Sequence, residues 1–305
     1  MTTFRIGTRG SELALWQARE VARLLGAAGH DSTIVVVKTT GDKRQDVPLA
    51  SIGGKGLFVK ELEEALDRDE IDIAVHSLKD VPSIIPERFV LEAYLKRADA
   101  RDIWIGREGR RIADLKPGNV VGTSSPRRRA QLLARFPGIT VEAIRGNLDT
   151  RINKARSGVV DGVVLACAGL ERLGRLDVVT DYFGIDEMVP AAGQGIIAIE
   201  ARAEAIGTRS ALARINHLET ELLARCERGV LEHFGETIGC DSAIAVHATF
   251  TDGLLTVRAA AFDDERGLSI LVRQSGHDSR TLVRSVYDEL IGKGAMELLV
   301  AKTTA

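Results

Sequence analysis

The stretch Ile71-Asp72-Ile73-Ala74-Val75-His76-Ser77-Leu78-Lys79-Asp80-Val81-Pro82 decides how the chain is read. Ile71 to Val75 is apolar and β-branched, the pattern of a short buried strand. The chain then turns polar at once. His76, Ser77, Lys79 and Asp80 fall within five residues, and Pro82 forbids a long helix after them. Open α/β sheets carry their sites at the carboxyl ends of such strands. A lysine beside an aspartate offers a positive charge to anions and a carboxylate for proton work. The competing reading is a plain solvated loop.

The segments before this stretch support a sheet. Phe4 to Gly7 reads as a first strand, followed by the turn Thr8-Arg9-Gly10-Ser11. A helix comes next, with Leu13, Trp16, Val21, Leu24 and Leu25 at near-helical spacing and Gly26 and Gly29 at its end. Thr33 to Lys38 is a second strand. Thr40 to Gly56 is rich in glycine and can bring backbone N–H groups close to an anion. It lacks the Lys-Ser/Thr ending of a P-loop, which argues against nucleotide binding there. Leu57 to Arg68 is an amphipathic helix with Phe58, Leu62, Ala65 and Leu66 inward. The order to this point is β-α-β-α-β.

Around Leu95 to Arg101 the pattern is lost, and a crossing between domains is expected. Val120 to Gly122 starts a second lobe. Thr123-Ser124-Ser125-Pro126-Arg127-Arg128-Arg129 then opens a helix through Leu132, Leu133 and Phe136, with serine as N-cap and proline at the first position. Thr140 to Ile144 is a strand, Arg145-Gly146-Asn147 its turn, and Leu148 to Ser157 a helix carrying Arg151 and Lys154. Gly162 to Ala166 is another buried strand. Gly7-Thr8-Arg9-Gly10-Ser11 and Gly122-Thr123-Ser124-Ser125 rhyme. They imply two similar lobes facing each other across a cleft, each offering a helix N-terminus to an anion. Val189 to Gly195 reads as the return crossing and Ile196 to Ile199 as a strand back in the first lobe.

The last third differs. Thr220 to His233 is a helix. Ala243 to Thr249, Leu254 to Ala261 and Leu268 to Arg273 are short strands, and Asp278 to Ile291 is a final helix. The expected fold is therefore α/β: two lobes plus a small C-terminal α+β domain with a three-stranded antiparallel sheet. The expected domains are 1–97 with 194–215, 98–193, and 216–305.

Composition narrows the function. The chain has 305 residues, 45% hydrophobic and 28% charged, with net charge -2. That balance argues against nucleic acid as the partner, and no apolar run is long enough to span a bilayer. The N-terminus shows no signal peptide, so a cytoplasmic location is expected. No long amphipathic seam points beyond a monomer. Cys167, Cys226 and Cys240 are too few and too far apart for a disulfide framework or a zinc site. Cys167 is read inside a buried strand and Cys226 as helix packing. Cys240 lies beside Gly239 just past a loop, where an attachment or a nucleophile is accessible.

Arg9, Arg127, Arg128, Arg145, Arg151 and Arg172 stand at strand ends and helix starts. With Lys55 and Lys79 they form a cationic set suited to a ligand with several carboxylates. The competing reading is a collection of surface salt bridges. Arg129 is expected to face solvent. His76 reads as a hydrogen-bonded structural histidine.

Arg9, Lys55, His76, Lys79 and Arg145 sit within motifs that occur in this order: Thr8-Arg9-Gly10-Ser11-Glu12-Leu13-Ala14-Leu15-Trp16-Gln17, Gly53-Gly54-Lys55-Gly56-Leu57-Phe58, His76-Ser77-Leu78-Lys79-Asp80, Gly122-Thr123-Ser124-Ser125, Arg145-Gly146-Asn147, Gly193-Gln194-Gly195 and Gly239-Cys240. Over essentially its whole length the chain closely resembles the porphobilinogen deaminase (hydroxymethylbilane synthase) family. The resemblance implies two lobes like type II periplasmic binding proteins and a third domain. It implies a dipyrromethane cofactor held by a thioether on Cys240. It implies a transferase that joins porphobilinogen units head to tail with loss of ammonia and releases the linear tetrapyrrole hydroxymethylbilane. The family's catalytic acid/base falls on Asp80. Its carboxylate-binding set falls on Arg9, Ser11, Lys55, Ser77, Lys79, Thr123, Ser124, Ser125, Arg127, Arg128, Arg145, Gly146, Arg151 and Arg172. Two departures stand out: Ser51 where many relatives carry lysine, and Thr237-Ile238 in a loop that is commonly richer in glycine. The rival reading is a two-lobed protein that binds an organic anion without chemistry.

Overall fold

A computed structural model describes residues 3–39, 59–235, 238, 242–263 and 267–300. The chain divides into two compact units, Met1–Ala98 with Gly195–Arg225, and Asp99–Gln194 with Cys226–Ala305.

Along the first segment run β1 (Thr3–Thr8), α1 (Glu12–Ala27), β2 (Asp31–Val36), α2 (Lys60–Asp67), β3 (Ile73–Ser77) and β4 (Phe89–Tyr94). The second carries β5 (Asp102–Gly106), β6 (Val120–Gly122), α3 (Pro126–Arg135), β7 (Thr140–Glu142), α4 (Leu148–Arg156), β8 (Gly162–Ala166), α5 (Cys167–Arg172) and β9 (Asp181–Tyr182). Then follow β10 (Ile197–Arg202), α6 (Ile206–Leu212), α7 (Leu218–His233), β11 (Ile244–Thr251), β12 (Leu254–Asp263), β13 (Leu268–Gly276), α8 (Ser279–Gly292) and α9 (Ala295–Val300).

The first sheet has the order β2-β1-β3-β10-β4 and the second β7-β6-β8-β5-β9. Both use one plan. Three strands run parallel, the fourth is reversed, and the fifth is antiparallel to the fourth. The reversed strand is β10 in the first sheet and β5 in the second, so the two expected lobes each have a complete sheet. The third sheet, β11-β12-β13, is antiparallel throughout, as expected.

The apolar pattern explains why these strands are central. Ile73, Ala74 and Val75 are buried on alternate faces, as parallel strands covered by helices on both sides require. Ile73 and Val75 join Ile6, Val21 and Leu25 in one cluster, and Ala74 joins Leu62, Leu66 and Ile71 in another. At Gly7 a Cβ would lie 2.2 Å from Ile71 Cδ1, so any larger residue would force the buried Ile71 side chain to shift.

Several boundaries differ from the expectation. β3 begins at Ile73 and continues through His76 and Ser77, because hydrogen bonding to β10 (Ala198 opposite His76, Ile197 opposite Ser77) outweighs the polar side chains. β4, β5 and β9 were not anticipated. Cys167 opens α5 instead of lying inside a strand. α9 follows α8, which is therefore not the last helix. Arg129 is half-buried, with Nη1 donating to the Val141 carbonyl at 2.9 Å, because α3 lies against β7 on that side.

Candidate active site

In the first unit a pocket of about 80 Å3 opens at the carboxyl end of the sheet, lined by Arg9, Ser11, Gln17, His76, Ser77 and Asp80 among others. β1 ends at Thr8 and delivers Arg9. Ser11 caps α1, its Oγ accepting from the Ala14 N–H at 3.3 Å, a contact worth about 1 kcal/mol to the helix. Gln17 is buried on α1 and donates from Nε2 to Ser77 Oγ at 2.9 Å. After Ser77 a 3-10 turn spans Leu78–Asp80. Leu78 is 1% exposed and packs with Val59, Val81 and Tyr94. That anchor leaves Lys79 and Asp80 on the half-buried side of the turn. Beside them His76 Nε2 lies 2.9 Å from Glu200 Oε2, both residues buried. Burial pushes the nearby Glu63 carboxyl up to about 7, and the Glu200 charge adds to the rise.

The second unit repeats the arrangement at its own sheet. Thr123, Ser124 and Ser125 follow β6. Ser125 caps α3 through the Arg128 N–H at 3.4 Å, and Thr123 Oγ1 accepts from the Ser125 N–H at 3.3 Å. The Ser124 hydroxyl donates to the Ile144 carbonyl. Asn147 caps α4 through the Thr150 N–H at 2.9 Å. Gly146 precedes it at φ 111°, and a Cβ there would lie 2.5 Å from Thr150, so this turn takes only glycine. Arg151 Nε donates to the Gly146 carbonyl at 3.0 Å. Arg145 lies on the same turn. Arg172 ends α5, and burial pushes its guanidinium down to about 10. An anion beside it would reverse that shift.

Arg127 and Arg128 depart from the expectation that their guanidiniums wait for a ligand. Both are buried against Asp102, at 2.8 Å each, and Asp102 has no exposed surface. Gln194 Nε2 also donates to Asp102, at 2.9 Å. The side chains reach Asp102 at the start of β5, where the sequence reading placed no strand. One carboxylate and two guanidiniums still leave the cluster with a net positive charge. The sequence reading also missed Gln17, Glu200 and Asp102. Glu200 is a polar residue in an otherwise apolar run, a signal that could have found it, whereas Asp102 follows Asp99 and Arg101 and carries no such mark. Lys55 and Cys240 lie outside the described residues.

The dipyrromethane that the resemblance implies has pyrrole N–H donors and acetate and propionate carboxylates. The donor set fits such a group. Asp80 can accept from N–H groups. In the first unit Arg9 and the capped start of α1 can donate to carboxylates, and in the second the hydroxyls and the capped starts of α3 and α4 can do so.

The fold is α/β, with cations and capped helix starts beside the sheet of each unit and the Asp80 carboxylate beside Arg9 in the first. The chain belongs to the porphobilinogen deaminase family, whose members are transferases: residues 4–210 match the family model described as porphobilinogen deaminase, dipyromethane cofactor binding domain. It is 42% identical to the porphobilinogen deaminase of Syntrophomonas wolfei over 98% of each chain. It is 42% identical to that of Geobacillus kaustophilus, over 98% of this chain and 97% of the relative. Among solved structures it is similar to a YaeC-family lipoprotein from Enterococcus faecalis, at 14% identity and a TM-score of 0.42 over 75% of this chain and 98% of that one. The strand orders of the two sheets, not this likeness, carry the fold.

Proposed function

We propose that the chain condenses porphobilinogen molecules head to tail, losing one ammonia per unit, and releases hydroxymethylbilane. The observation that carries this reading is the Asp80 carboxylate sharing one pocket with Arg9 and the Ser11-capped start of α1. The dipyrromethane, joined through Cys240, supplies the pyrrole to which the first substrate is added. Arg9, Ser11, Ser77 and Lys79 in the first unit hold carboxylates. Thr123, Ser124, Ser125, Arg145, the Gly146 turn, Arg151 and Arg172 do the same in the second. Arg127 and Arg128 add positive charge from behind α3, and Lys55 completes the set. Holding the pyrroles in register supplies the proximity part of the rate. Asp80 stabilises the positive charge that develops as ammonia leaves, and takes the proton lost after coupling. The division into 1–97 with 194–215, 98–193 and 216–305 belongs to the same proposal.

The enzyme is proposed to act as a cytoplasmic monomer on its small-molecule substrate, without nucleic acid or membrane. The net charge of -2 speaks against a nucleic-acid partner, and no described helix is long and apolar enough to cross a membrane. The test is incubation with porphobilinogen, following ammonia and the intact protein mass. Ammonia release with a protein heavier than the bare chain is expected. The bare mass with no ammonia would favour the anion-binding rival.

A further inference from the structure

His76 lines the Asp80 pocket and forms a buried pair with Glu200. Nε2 lies 2.9 Å from Oε2, with the histidine 5% exposed and the glutamate 0%. Around Glu200 on β10 stand Ile197, Ala198, Ile199 and Ala201, all buried. A carboxylate in such a strand is costly unless a partner stabilises it. Its second oxygen, Oε1, has no hydrogen-bond partner among the described residues. Glu200 takes Nε2, which leaves Nδ1 as the other ring nitrogen of a histidine that lines the pocket. A histidine oriented by a buried carboxylate is the usual arrangement for moving a proton.

We propose that His76, oriented by Glu200, is a positioning residue that relays the reaction's proton away from Asp80. This rests on the function proposed above. When the new carbon–carbon bond has formed, the C–H bond at the same pyrrole carbon breaks. Its electron pair restores the ring, and the proton goes to Asp80. Asp80 has to lose that proton before the next unit is added. Nδ1 accepts it through water, Glu200 stabilises the imidazolium, and the proton passes on to solvent. The pocket of about 80 Å3 has room for such water, which needs roughly 15 Å3 per molecule. Among the described residues, the charged groups near the ring include Glu200 on β10, Glu63 on α2, and Arg9 and Asp80 in the pocket. Glu63, pushed up to about 7 by burial and then by Glu200, shows how unfavourable further negative charge is on this face. An imidazolium there relieves it.

The test uses full-length protein carrying its covalent cofactor, with His76→Gln and Glu200→Gln. Glutamine at 76 can still hydrogen-bond but cannot carry a proton at neutral pH. Glutamine at 200 keeps the volume and removes the charge. In both variants kcat should fall about a hundredfold, the lower end of the range of general acid–base effects, with KM and adduct mass unchanged. The rate of His76→Gln should then rise with the concentration of imidazole buffer, which a structural role would not produce. Wild-type kcat in His76→Gln, or a loss that imidazole does not relieve, overturns the relay. If His76→Gln does not fold, wild-type kcat in Glu200→Gln overturns it equally. Wild-type protein that releases no ammonia from porphobilinogen overturns the function itself, whereas active wild-type protein with indifferent variants overturns only the relay.

Discussion

Asp102 Oδ2 lies 2.8 Å from the Arg127 guanidinium, and Oδ1 lies 2.8 Å from that of Arg128. Arg127 Nη1 also donates to the Val189 carbonyl at 2.7 Å, and Arg128 Nη1 to the Val164 carbonyl at 3.1 Å. The cluster thereby joins the start of β5, the first turn of α3 and β8. Burial alone would raise the Asp102 carboxyl, but Arg127 and Arg128 outweigh it and hold it well below the usual carboxylate range. Burial lowers the Arg127 guanidinium, and Asp102 opposes that shift.

Asp102→Asn should therefore destabilise the protein by about 3–5 kcal/mol, the cost of stranding a buried charge. The sign with pH follows from the depressed carboxyl. The stabilisation is fully present above the unfolded pKa of about 3.9 and is lost as pH falls below it toward the folded value. Urea unfolding at pH 7 and pH 3 checks both points. A variant as stable as wild type at pH 7 would show that the cluster contributes nothing net.

Asp80→Asn should keep the fold and the cofactor and nearly abolish turnover. Asparagine has the same shape but lacks the negative charge that the developing cation needs. Asp80 is half-buried on a 3-10 turn held by Leu78, so little stability is at stake. Ammonia release and intact mass, measured together, separate lost chemistry from lost cofactor. Wild-type turnover would make Asp80 structural.

The strands that follow a strong apolar rule were legible in the sequence. Ile73 to Val75, Gly162 to Ala166 and the three antiparallel strands are each bounded by turns or helices of recognisable chemistry. Phe89–Tyr94 and Asp102–Gly106 escaped because each opens or continues with residues that also suit a crossing, and only long-range pairing identifies them. The site was legible where a motif marks it, as at Arg9, Ser11 and Asp80. Glu200 and Asp102 were not, since their partners His76, Arg127 and Arg128 lie 124, 25 and 26 positions away in the chain. For the same reason the pairing of Arg127 and Arg128 with Asp102 could not be read from the sequence.

Arg145→Ala should weaken the loading of pyrroles and leave stability little changed. Arg145 is half-buried on the turn between β7 and the Asn147 cap of α4. Losing one charge-assisted contact to a carboxylate costs about 1.5–3 kcal/mol, which is roughly a tenfold to hundredfold rise in KM. Substrate titration of ammonia release measures it. Unchanged kinetics with a lowered melting temperature would assign Arg145 to the fold alone.

Cys240→Ser should give a protein with neither covalent cofactor nor activity, whereas Cys167→Ser and Cys226→Ser should keep both. The thiolate is the attacking form of cysteine, so a thiol that resists ionisation is a poor attachment point. Cys167 is 2% exposed, and burial first, then the Asp99 and Glu171 charges, pushes it up to about 12. Cys226 is 1% exposed, and burial pushes it up to about 11, with Glu227 adding to the rise. At neutral pH both are held as thiols inside packed elements. Cys240 lies outside the described residues, beside Gly239 in the sequence, and an ordinary cysteine has a pKa of about 8.5. A serine hydroxyl at that position stays protonated and cannot replace it. Intact mass of the three variants, with an aldehyde colour reaction for pyrroles, decides the matter. An adduct that survives in Cys240→Ser, or disappears in Cys167→Ser, would move the attachment site to a thiol that both burial and charge disfavour.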